Sequence, residues 1–169
     1  MRVARFLAGL LAATVVHVLG VRMVQDFSSA IDVFLIVALF NAHGGSPFAG
    51  LLGGLVTGWC ADVMTGGLYG AYGFCNTLVG YGAAVAVQRL VIERAGGVFL
   101  LFSLGAAVQQ LLLLALSRLL RPGAAPPELT WLMVMFITVG LTGALGIVLR
   151  EHLVRWRTAW RRNQSATLR

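Results

Sequence analysis

Six apolar segments, each about long enough to cross a lipid bilayer as a helix, follow one another along the 169-residue chain. A transmembrane helix needs roughly 17–25 predominantly apolar residues. Only 11% of the residues are charged, whereas an average soluble domain has about 25%. The sequence therefore predicts an all-α integral membrane protein with six transmembrane helices. The predicted segments are residues 3–21, 27–42, 47–64, 69–87, 97–117 and 129–149, and the second contains Asp32.

The basic residues, which are all arginines, indicate how these segments cross the membrane. With six crossings and a cytoplasmic N-terminus, ten of the 13 arginines lie on the cytoplasmic side and three, Arg22, Arg118 and Arg121, on the outer side. If the second segment did not cross, the later loops would change sides. The cytoplasmic side would then hold four arginines and the outer side nine. Cytoplasmic loops carry the excess of basic residues in membrane proteins. Six crossings are therefore predicted, with both termini in the cytoplasm.

The last twenty residues form a basic tail, which we separate from a six-helix transmembrane domain at residues 1–149. In residues 150–169, arginines alternate with large apolar side chains, a pattern typical of a helix that lies on anionic lipid. The alternative is a docking site for a cytoplasmic protein. Because the net charge of +7 is explained by membrane orientation, we expect no binding to nucleic acid. The interfacial residues are Arg155, Trp156, Arg157, Trp160, Arg161 and Arg162.

A ladder of glycines with one carboxylate in it runs through the third segment and the turn after it. Small residues four apart form a groove that lets another helix approach backbone to backbone. Asp62 continues this stripe near the end of the helix, where we expect it to cap the free N–H groups at the start of the fourth helix. The following glycines suit a tight turn. The predicted helix-packing or partner interface consists of Gly50, Gly54, Gly58, Asp62, Gly66 and Gly70.

Catalytic chemistry is not expected from this sequence. The chain has six acidic residues and three histidines, and they follow no catalytic spacing. It carries no Ser-His-Asp arrangement, no HExxH sequence and no phosphate-binding loop. We therefore predict a protein that is not an enzyme, with no cofactor and no metal site. For His17, in the first segment, a structural or interfacial role is expected.

Residues 54–70, GLVTGWCADVMTGGLYG, resemble the signature of the rod shape-determining protein MreD family. That signature has a glycine-bearing helix, an Asp, a Gly four residues later and another Gly about four residues after it. The residues at the matching places are Gly54, Gly58, Asp62, Gly66 and Gly70. The second segment is similar to the family's Pro-Asp-apolar opening, with Asp32 at the Asp place and Ile31 at the place of the Pro.

This resemblance implies a non-enzymatic scaffold in the bacterial inner membrane that belongs to the machinery of cell-wall elongation. Family members pair with the protein MreC, and we expect the contact to involve its transmembrane helix. They act beside the filament protein MreB and beside RodA and penicillin-binding protein 2. The resemblance also implies a fold similar to the substrate-binding components of energy-coupling-factor transporters.

The alternative is that the chain is itself the substrate-binding membrane component of a vitamin transporter. Ala4, Ala8 and Ala12 repeat at four-residue spacing in the first segment, and such components use a similar stripe to dock on their coupling subunit. Ordinary helix packing explains the same stripe. The short predicted outer loops hold few groups that could capture a polar vitamin, which favours the scaffold.

Overall fold

A computed structural model describes residues 2–23, 31–44, 46–66, 70–89, 95–120, 141, 142, 145 and 148. Within these residues the chain is all-helical, with five helices: α1 (Arg2–Met23), α2 (Val33–Gly44), α3 (Pro47–Thr65), α4 (Ala71–Arg89) and α5 (Ala95–Leu120). The isolated residues at 141, 142, 145 and 148 are also helical. Three helical stretches are long and apolar enough to cross a membrane, Val3–Met23, Pro47–Thr65 and Gly96–Leu120.

The predicted helices at residues 3–21, 47–64, 69–87 and 97–117 are confirmed to within a few residues at each end. The start of α3 follows from its sequence, because the Ser46 side chain accepts a hydrogen bond from the Ala49 N–H and Pro47 occupies the first turn, where its missing N–H costs nothing. Most of the predicted sixth helix, residues 129–149, and all of the tail, residues 150–169, lie outside the described residues.

The second predicted helix needs correction. We expected it at residues 27–42 with Asp32 inside it, but α2 begins at Val33 and Asp32 stands just before it. The Asp32 Oδ1 accepts hydrogen bonds from the N–H groups of Phe34 at 3.0 Å and Leu35 at 2.9 Å. Asp32 is therefore the N-cap of α2, which satisfies amides that the helix itself leaves unpaired. Residues 27–30 lie outside the described part of the chain.

Helix α2 lies at the centre of the bundle and packs against α1, α3, α4 and α5. Its side chains Phe34, Leu35 and Leu39 are almost completely buried. Leu35 and Leu39 belong to the main apolar core, which α4 and α5 complete with residues such as Val79 and Phe102, whereas Phe34 packs in a smaller cluster with Ala13 of α1 and Ala61 of α3. The first eight residues of α2 are all apolar, which suits a helix surrounded by other helices, whereas α1 and α5 turn exposed apolar side chains outward.

Candidate functional site: an interhelical cap and a buried polar network

Two glycines make the turn between α3 and α4 possible. Gly66 ends α3 with a φ of 63°, and its N–H donates to the Asp62 carbonyl at 3.3 Å. Gly70 has a φ of 87°, and its carbonyl accepts the first hydrogen bond of α4 from the Phe74 N–H at 2.9 Å. Residues that carry a Cβ rarely adopt these positive φ values. The spacing of the two glycines therefore marks where one helix stops and the next begins.

The Asp62 side chain caps α4 from the neighbouring helix. Its Oδ1 accepts a hydrogen bond from the Tyr72 N–H at 3.0 Å, and its Oδ2 accepts one from the Gly73 N–H at 2.9 Å. Gly70, at the N-cap position of α4, has no side chain that could do this. The carboxylate also lies at the positive end of the helix dipole. The cap that the sequence predicted is thus present. It lies in the protein interior, because Asp62 is only 5% exposed.

The glycine ladder of α3 lies directly against α4. A methyl group built on Gly50, Gly54 or Gly58 would overlap a backbone carbonyl oxygen of α4, so the two helices touch backbone to backbone. Such close contact is the main source of helix association in lipid. It also means that α4 covers this stripe of α3. The facing carbonyls also repeat at four-residue spacing and belong to Gly80, Asn76 and Tyr72, respectively.

A second polar cluster joins α2, α4 and α5 in the interior of the bundle. The Gln109 side-chain amide donates one hydrogen bond to Asp32 Oδ2 and another, at 2.8 Å, to Asn76 Oδ1. Asn76 and Gln109 are fully buried. We name Asp32, Asn76 and Gln109 the buried polar network. Hydrogen bonds between helices stabilise bundles inside membranes, so the network ties three helices together at one level.

Sequence reasoning identified Asp32 but did not single out Asn76 or Gln109. Both are neutral amides inside long apolar stretches, GFCNTLVG and AAVQQLLLLAL. An amide in such a stretch is a usable signal, because a polar side chain inside the membrane needs a partner there. The sequence does not show which helix supplies that partner.

Both carboxylates lie at the same end of the bundle, where α1 and α3 end and α2 and α4 begin. Together, Asp32 and Asp62 accept four backbone N–H groups and one side-chain amide. A small cavity of about 10 Å³ at this end is lined by Asp32, His17, Thr65, Tyr72 and apolar neighbours. The arrangement holds helix ends in place. His17, for which a structural or interfacial role is predicted, is buried here and its ring contacts that of Phe34.

A family model for the rod shape-determining protein MreD matches residues 2–125. The chain belongs to the MreD family. Membership connects it to the determination of rod shape and, together with its long apolar helices, identifies it as a membrane protein. Comparison with curated proteins found no significant match, and comparison with solved structures found none either.

The MreD match includes every residue of the buried polar network and of the interhelical cap, which consists of Asp62, Tyr72 and Gly73. In this MreD-family chain, the spacing of Asp62, Gly66 and Gly70 therefore has a physical explanation as a helix end, a turn and a helix start. The predicted interfacial residues lie beyond the match and outside the described residues: Arg155, Trp156, Arg157, Trp160, Arg161 and Arg162.

Proposed function

We propose that the chain is a non-enzymatic scaffold of the bacterial cell-wall elongation machinery that binds the transmembrane helix of MreC. The observation that carries this proposal is the MreD family match over residues 2–125. MreB, RodA and penicillin-binding protein 2 are proposed as further members of the same assembly, reached directly or through MreC.

The way the polar side chains are used supports a scaffold. Asp62 caps α4, and Asp32 caps α2 while it binds Gln109. Each of these carboxylate contacts joins one helix to another or fixes a helix end. A bundle held in this way presents a fixed outer surface in the membrane, which is what a partner helix requires for close packing.

The proposed topology has six crossings in the inner membrane, with both termini in the cytoplasm. The ten-to-three distribution of arginines supports it, because basic residues are concentrated on the cytoplasmic side. In this proposal residues 1–149 form the membrane domain, similar in fold to the substrate-binding components of energy-coupling-factor transporters. Residues 150–169 form a tail that lies on anionic lipid through its arginines and tryptophans.

The contacts of the glycine stripe bear on where MreC binds. Because α4 covers Gly50, Gly54 and Gly58 of α3, we propose that this stripe acts on the complex indirectly, by fixing the shape of the α3–α4 pair. The MreC helix then packs on another lipid-facing surface of the bundle.

Vitamin transport is the alternative function. The cavity that the structure shows beside Asp32 has about 10 Å³, whereas sites for small-molecule ligands occupy about 300–1,000 Å³. At that end of the bundle, the described residues therefore favour the scaffold over a vitamin site.

Co-purification tests the proposal. The tagged chain is produced together with MreC and purified from membranes in mild detergent, and we expect MreC to be recovered with it. The control is an MreC variant whose transmembrane helix is replaced by an unrelated one, which should be lost. Recovery of an ATPase module without MreC would support the transporter and refute the scaffold.

A further inference from the structure

Helix α1 is attached to the rest of the bundle by a narrow strip of side chains. Among its described side chains only Ala13 and His17 are buried, each about 5% exposed. Ala13 packs with Phe34 and Ala61 in a small apolar cluster. His17 is the one of the two that carries hydrogen-bonding groups, so its surroundings decide what polar contact this buried strip makes with the bundle.

The His17 ring lies at the cavity introduced above. The ring centroid is 5.4 Å from that of Phe34, with the planes tilted by 48°. The lining of this cavity of about 10 Å³ includes four residues with polar side-chain atoms, His17, Asp32, Thr65 and Tyr72, beside apolar neighbours. This volume is close to the smallest that holds one water molecule, and a stable water also needs two to four polar partners. The lining supplies them.

We propose that this cavity is a binding site for a single water molecule that bridges the His17 imidazole and the Asp32 carboxylate. The Asp32 hydrogen bonds leave room for it. Among the described residues, Oδ1 accepts two backbone N–H groups and Oδ2 accepts the Gln109 amide; because a carboxyl oxygen has two lone pairs, Oδ2 can form one more hydrogen bond. The water donates to the remaining site of Asp32 and bonds a ring nitrogen of His17.

The bridge has a structural consequence. It extends the buried polar network from α2, α4 and α5 to α1, so that four helices share one chain of hydrogen bonds. A water in this position gives the imidazole of His17, which is 5% exposed, a hydrogen-bond partner inside the bundle, and a partner is what a buried polar group requires. Helix α1 is thus fixed at the level of His17 by a polar contact that its apolar sequence does not reveal.

Substitution of His17 tests the bridge. His17→Phe keeps the ring contact with Phe34 but removes both nitrogens, and we expect its unfolding midpoint in detergent to fall by about 3–6 °C. His17→Gln brings an amide to the cavity and should recover part of the loss. The matched control is Thr14→Val on the same helix, because the Thr14 hydroxyl bonds the carbonyl of Leu10 in its own helix at 2.9 Å; its midpoint should change little.

Two results would overturn the proposal. One is a His17→Phe variant as stable as the wild-type chain, and the other is a His17→Gln variant no better than His17→Phe, which would mean that His17 acts by packing alone. A wild-type experimental map that resolves ordered waters gives an independent decision if the variants do not fold. It should show one density peak between the His17 ring and Asp32, and its absence would refute the water site.

Discussion

At the scale of single residues, Asp62 combines two tasks that usually belong to different residues. Its backbone carbonyl accepts the Gly66 N–H at the end of α3, while its carboxylate accepts the N–H groups of Tyr72 and Gly73 at the start of α4. The first amides of a helix have no partner inside the helix, and where they are buried in protein a side chain must supply one. The free-energy cost of a carboxylate in this apolar stretch is therefore offset by two charge-assisted hydrogen bonds and by the helix dipole.

Substitution of Asp62 should separate the cap from the charge. Asp62→Asn keeps one oxygen acceptor for one of the two N–H groups, whereas Asp62→Leu leaves both unpaired in the interior. Each unsatisfied buried amide costs about 1–3 kcal/mol. We therefore expect Asp62→Asn to keep more folded protein and more MreC complex than Asp62→Leu, as measured by unfolding midpoint and by co-purification yield.

The opposite pattern would be informative. If both variants remain folded and Asp62→Asn loses MreC as completely as Asp62→Leu, the negative charge itself is required for assembly. The role of Asp62 as a structural cap would then be wrong as an account of its function.

At the scale of helices, α3 and α4 form a pair in which α3 has glycines, and so no side chains, where it touches the backbone of α4. The overlap that a Cβ would cause at Gly54 and Gly58 is with backbone atoms of α4 and not with the end of a flexible side chain. Rotation of a neighbouring side chain cannot relieve such an overlap. The helices would have to move apart, which would also draw Asp62 away from the amides that it caps.

Leucine at these positions should therefore disrupt the pair. We expect Gly54→Leu and Gly58→Leu each to destabilise the chain by at least about 1–3 kcal/mol and to lower the yield of both folded protein and MreC complex. The measurements are size-exclusion chromatography in detergent and the unfolding midpoint.

The control for this prediction is Gly82→Leu in α4. Gly82 is exposed, and a Cβ built on it meets no atom within 4 Å. It adds the same side chain to the same helix pair without separating the backbones, so folding should be retained. Equal damage from all three variants would mean that added bulk in the membrane, and not the α3–α4 contact, causes the loss.

Local and long-range features differ in how well the sequence predicts them. The α3–α4 turn and its cap are encoded within a dozen residues, Asp62 to Gly73, so spacing alone was sufficient. The buried polar network joins residues far apart in the chain, Asp32 and Gln109. No periodicity carries that pairing, because it depends on how the helices assemble. For the same reason the sequence predicted a packing groove but did not identify α4 as the helix that fills it.

At the scale of the whole molecule, the second predicted helix was wrong at its start, residue 27 instead of Val33, because α2 is shorter than a helix that crosses a bilayer alone. A helix of 12 residues is about 18 Å long, well below the roughly 30 Å of the hydrocarbon core. Inside a bundle this is tolerated, because α2 is buried by other helices and Asp32 satisfies its first amides. Hydropathy alone therefore does not decide whether α2 crosses the membrane. The orientation of every later helix depends on that crossing.

Reporter fusions decide whether α2 crosses. With six crossings, a fusion at Arg169 lies in the cytoplasm and one near Gly123 lies outside. Green fluorescent protein should therefore fluoresce at Arg169, and alkaline phosphatase, which is active only after export, should work near Gly123. If α2 does not cross, the two signals exchange sides, and the arginine count becomes four against nine, contrary to the usual excess of basic residues in the cytoplasm. Two fusions on the same side would mean that the chain does not cross between residues 123 and 169.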